Sequence, residues 1–98
     1  ILLSLGDRGG YLENMREVVR LAPQRAEGYL FLARGLLLEE APLDEAQTAV
    51  EKGLGLADTS DLKAFGYFLL ADIYNRRHQP EMMQDALRKA NSFKPIRE

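Results

Sequence analysis

Two parts of this chain carry the same pattern, and that recurrence limits the fold more than any other feature. LARGL at 32–36 matches LADIY at 70–74, and VEKGL at 50–54 matches LRKAN at 87–91. Each unit reads as two helices. In the first unit, the leading helix is apolar nearly all round, with Tyr29, Leu30, Phe31, Leu32, Ala33, Leu36, Leu37 and Leu38. Such a helix needs cover on more than one side. The following helix places Leu43, Ala46, Val50, Leu54 and Ala57 three or four apart, which is a single stripe. Helix pairs repeating every 34 to 38 residues or so cannot bury their faces alone, so they stack on one another as a helical solenoid.

The rest of the chain fits this plan. Residues 1–5 read as a helical stub, and GDRGG at 6–10 as a turn, because glycine readily takes the positive φ that ends helices. Residues 11–22 form a helix with Tyr11, Met15, Val18 and Val19 on its buried side, and Pro23 ends it. Pro42 lies between the first pair's helices, where a first-turn proline costs no hydrogen bond. Asp58, Thr59 and Ser60 break the chain, with Thr59 or Ser60 as the cap of a second apolar helix over 61–78. Pro80 opens a last helix to about Phe93, and Pro95 closes it. No segment alternates as a strand does. The expected fold is all-α, about five helices and a stub in one domain of 98 residues, of which 46% are hydrophobic. The alternative under the same packing rules is an antiparallel bundle. The opening Ile1 and the helix-tail character of ILLSLGD suggest a segment of a longer protein; no small-residue cleavage site follows to mark a signal peptide.

Composition excludes several function classes. Net charge is −2 with the two signs mixed along the helices, which gives no basic surface for nucleic acid. There is no cysteine, hence neither disulfide nor thiolate site, which suits any compartment, the cytoplasm included. No apolar run approaches the roughly 20 residues of a membrane helix. His78 is the one histidine and has no cysteine or second histidine to share a metal; a cation at a helix C-terminus is explained by the dipole. Glu39–Glu40 and Asp44–Glu45 are carboxylate pairs, but they flank a loop, and glycoside chemistry needs an enclosed cleft. Gly6, Gly9 and Gly10 lack the spacing of a phosphate-binding loop, and Ser4, Ser60 and Ser92 lack the context of a nucleophile. The expected chain is no enzyme and uses no cofactor or metal.

The ordered motif residues resemble the tetratricopeptide repeat (TPR) family, whose unit reads W-x2-L-G-x2-Y, then Ala, an aromatic and Pro. Tyr29 stands at the Trp position, Leu32-Ala33 at Leu-Gly and Leu36 at the Tyr, and Leu43-Asp44-Glu45-Ala46 is similar to the family's Y-D-E-A. Gly53 fills the late small position. The next unit matches through Tyr67, Leu70, Ala71, Tyr74, Ala90 and Pro95. Upstream, Gly6-Asp7 resembles the turn between helices and Arg20-Leu21-Ala22-Pro23 the closing segment. The resemblance thus divides the chain into a partial repeat at 1–25 and full repeats at 26–60 and 61–98. The sequence departs from the pattern by one extra residue near Glu40–Ala41, by Asp58 in place of Pro, and by Tyr11 and Met83 where Ala is usual.

The resemblance implies antiparallel helix pairs in a right-handed superhelix. It also implies a non-catalytic interaction module or scaffold whose concave groove takes a peptide or amphipathic helix. By it, the groove residues are Glu27, Leu30, Arg34, Leu37, Phe65, Phe68, Asp72, Asn75 and Arg76. Leu30, Phe65 and Phe68 stand where a clamp for a terminal carboxylate would need polar residues, so an apolar partner fits better. Leu87, Ala90 and Phe93 have no polar capping helix after them, which predicts a homodimer or cover by neighbouring segments. The second function class is an accessory segment of an enzyme whose catalytic domain lies elsewhere.

Overall fold

Glycine placement decides how closely the helices of this chain approach, and the approaches fix their directions. The computed structural model describes residues 3–93, with side chains from residue 10 onward. Ile1, Leu2 and the closing Pro95 lie outside the described residues. Five α-helices follow in order: α1 (Leu3–Leu21), α2 (Ala26–Leu38), α3 (Leu43–Leu56), α4 (Ser60–Arg76) and α5 (Pro80–Phe93). Among the described residues there is no strand.

Consecutive helices run antiparallel. Tyr11 lies against Gly35 and Val18 against Gly28, so α1 descends as α2 climbs. Gly53, late in α3, lies beside Leu30 and Ala26, early in α2. Leu54 of α3 beds on Gly66 of α4, and the Tyr67 and Phe93 rings join the start of α4 to the end of α5. A Cβ at Gly66 would stand 2.5 Å from a Leu54 methyl, so the missing side chain is what allows the contact. Because α2 and α4 both run antiparallel to α3, they run parallel to each other; Phe31 meets Phe65, and Arg76 reaches the Leu37 carbonyl.

The two pairs, α2–α3 and α4–α5, end their first helices in the same way. Glu40 and His78, 38 positions apart, hold positive φ of 58° and 61°. The bonds around them repeat: Glu40 N–H donates to Leu37 O and His78 N–H to Asn75 O, both at 3.1 Å. Ala41 N–H to Leu36 O and Gln79 N–H to Tyr74 O follow, both at 2.9 Å. These six-to-one bonds satisfy carbonyls that a helix end otherwise leaves open. The extra residue of the first pair falls just after this turn, since Pro42 precedes α3 while Pro80 already opens α5. Thr59 caps α4, its hydroxyl accepting from Leu62 N–H at 3.1 Å.

The core runs between the pairs. Leu30, Leu36, Val50 and Ile73 are its largest fully buried side chains, each worth about 1.5–3 kcal/mol on burial.

Two expectations need correction. GDRGG at 6–10 is not a turn, because α1 continues through it. Glycine permits a positive φ without requiring one, and none of the described glycines has it. The upstream inter-helix turn at Gly6-Asp7 is therefore absent. Tyr11, oversized for its position by the TPR pattern, fits because Gly35 opposite it has no side chain. Its hydroxyl donates to the Phe31 carbonyl at 3.0 Å.

Candidate functional site

Three phenylalanines form a strip across the first helices of the two pairs. Phe31 and Phe65 meet with ring centroids 5.4 Å apart and planes inclined at 49°, a tilted arrangement of the kind aromatic pairs prefer. Phe68 lies one turn beyond Phe65 on the same face of α4. Phe31 and Phe68 keep 39% and 40% of their surface exposed, and Leu38 keeps 58%. Spacing of three and four puts Phe31, Arg34 and Leu38 on one side of α2, and Phe65, Phe68 and Asp72 on one side of α4. Exposed Arg34 makes no ion pair among the described residues.

The expected groove residues divide into three groups. Phe65, Phe68 and Arg34 lie on or beside the strip. Leu30 and Leu37 do not: at 0% and 3% exposure they belong to the core and offer a partner no surface. The physical reason is a rotation. One residue along a helix turns the side chain by about 100°, and the exposed pair on α2 is Phe31 and Leu38, each one position further on. Leu30 instead faces inward, against Gly53 and near Gly66.

The third group, Asn75 apart, is occupied with local bonds. Glu27 is half-buried and pairs with Arg25 at 3.6 Å. Asp72 holds Arg76 at 3.1 Å, and Arg76 also donates to the Leu37 carbonyl at 3.2 Å. Arg76 thus closes the C-terminus of α2 from α4, where a cation suits both the open carbonyl and the dipole. Asn75 is exposed beside it.

Phe31 and Leu38 were legible as helical residues but not as surface. Both sit in a run that is apolar on every side, where periodicity cannot choose a face.

Among the described residues no group of three His, Cys, Asp or Glu side chains could hold a metal ion, and no helix is long and apolar enough to cross a membrane. His78 is exposed in the left-handed turn after α4. The Arg20 guanidinium is held above its ordinary pKa by its bonds to Glu17, an exposed pair on α1.

Comparison with family models, curated proteins and solved structures finds no match to this chain.

Proposed function

We propose that this chain is a non-catalytic, TPR-like interaction module. The partner is an amphipathic helix or apolar peptide seated on the Phe31–Phe65–Phe68 strip. One observation carries the reading: Phe31 and Phe65 meet between the first helices of two successive pairs, Phe68 stands one turn beyond Phe65, and Phe31 and Phe68 are exposed. Aromatic side chains dominate binding energy when a partner covers them, and a helix laid in such a groove would anchor through residues three and four apart. Arg34 on α2 and the Asp72–Arg76 pair on α4 flank the strip with charge that would orient the partner more than hold it. The recurring turn and the helix order support stacked helix pairs, with α1 as the second helix of a preceding unit, and the TPR resemblance adds the right-handed superhelix.

The test is selection of short helical peptides against the full chain, followed by mapping of the bound peptide by NMR. Shifts should centre on Phe31, Arg34, Phe65 and Phe68, and selected sequences should carry apolar residues at helical spacing. Peptides that map elsewhere, or selection that yields no binder, would sink the proposal.

A further inference from the structure

A second surface lies on the opposite side of α2 from the aromatic strip. There, α2 and α3 enclose an open groove of about 580 Å³, lined by Tyr29, Leu32, Glu45, Thr48, Ala49 and Lys52 and bordered by Asp44. The Lys52 ammonium stands 5.9 Å from the Tyr29 ring centroid. Both carboxylates are engaged from outside the groove: Asp44 by Arg77 at 2.7 Å and Glu45 by Arg16 at 3.1 Å. Lys52 has no ion-pair partner among the described residues, which leaves the groove apolar with one unmatched positive charge.

The second helix pair contains the corresponding groove in a narrower form, lined also by Tyr74 and Met82, with Phe93 outside its lining. Tyr67, Leu70, Ala86 and Lys89 take the places of Tyr29, Leu32, Ala49 and Lys52, and the space has shrunk to about 110 Å³. Lys89 again lies over the tyrosine, 5.7 Å from the Tyr67 centroid. Here the chain provides both missing groups. Phe93 stacks on Tyr67 at 5.8 Å with planes 1° apart, and Asp85 pairs with Lys89 at 3.4 Å. The residues 37 positions earlier are Leu56 for Phe93 and Thr48 for Asp85. The first copy therefore keeps the tyrosine, the lysine and the space, and lacks the ring and the carboxylate.

We infer that the α2–α3 groove binds a peptide segment in which an aromatic residue adjoins an aspartate or glutamate. The aromatic ring lies on Tyr29 as Phe93 lies on Tyr67, and the carboxylate meets Lys52 as Asp85 meets Lys89. The site is independent of the phenylalanine strip and uses none of its residues.

The test is titration of the full chain with the acetylated, amidated dipeptide Phe-Asp, followed by amide NMR, with Phe-Asn and Leu-Asp as comparisons. Shifts should cluster at Tyr29, Thr48 and Lys52. Phe-Asn should bind about threefold or more weakly, the scale of one exposed ion pair, and Leu-Asp should also lose affinity. Thr48→Asp, at an exposed position, gives Lys52 an internal carboxylate and should abolish the preference for Phe-Asp over Phe-Asn. Equal binding of Phe-Asp and Phe-Asn, or a preference unchanged in Thr48→Asp, would overturn the assignment. So would shifts confined to Phe31, Phe65 and Phe68, an outcome that leaves the strip proposal standing.

Discussion

The α2–α3 and α4–α5 pairs share a turn, a tyrosine–lysine pair and a helix order, yet corresponding residues have different surroundings. Leu30 is wholly buried, whereas Phe68, 38 positions later, keeps 40% of its surface. Leu37 is core and its counterpart Asn75 is exposed; Leu54 beds on Gly66, and its counterpart Asn91 is exposed. The difference is the neighbour. α4 covers the far side of α2–α3, and no described helix does the same for α4–α5. Burial in such a stack belongs to the interface between units as much as to the unit. Two of these outer positions carry asparagine where the first pair has leucine, and the third carries phenylalanine in place of leucine.

The strongest way to break this comparison is to truncate the corresponding residues. Leu30→Ala should cost about 2–5 kcal/mol, because a fully buried leucine leaves a cavity. Phe68→Ala should cost about 1–2 kcal/mol, since part of its surface is already in water. Urea or thermal unfolding reads both, and equal losses would contradict the different surroundings assigned to the two positions.

A smaller effect separates two glycines of one helix. A Cβ at Gly53 would meet Leu30 at 2.7 Å, and Leu30 is enclosed and has nowhere to move. Gly53→Ala should therefore destabilise by about 1–3 kcal/mol. Gly55, two residues on, has nothing within 4 Å of such a Cβ, so Gly55→Ala should stabilise by about 0.5–1 kcal/mol through helix propensity. Melting temperatures should move in opposite directions; a shared direction would show that the approach of α3 to α2 is misplaced.

The smallest effect concerns the tie between the pairs. Arg77 donates to Asp44 at 2.7 Å and to Gln47 at 3.2 Å, joining the end of α4 to α3. Asp44 is almost wholly exposed, so Arg77→Ala should cost roughly 0.2–1 kcal/mol. High salt should shrink that difference, and a loss insensitive to salt would point to packing instead.

Much of the architecture could be read from the residues. Pro23, Pro42 and Pro80 mark helix boundaries, Thr59 caps α4, and the correspondence of LARGL with LADIY gives the true register of α2 against α4. The extra residue near Glu40–Ala41 was visible too. What failed depended on packing between helices. GDRGG has the composition of a turn, but its backbone stays helical. Leu30 and Phe68 do correspond, but correspondence does not carry exposure when one position has a covering helix and the other has none. The narrow and wide grooves were hidden for a similar reason: Asp85 and Lys89 share one face of α5 by spacing alone, but Phe93 gains meaning only when α5 lies against α4 and brings its ring to Tyr67.

The most direct measurement is the affinity of Phe68→Ala for a helical peptide selected against the full chain, taken with the variant's melting temperature. Expected is a loss of about thirtyfold or more, equal to at least about 2 kcal/mol at a binding hot spot. The fall in melting temperature should not exceed about 16 °C, the scale of 2 kcal/mol in a domain of this size. Full affinity in a stable variant would contradict the proposed binding face, and a variant that unfolds would contradict the exposed setting of Phe68 on which it rests.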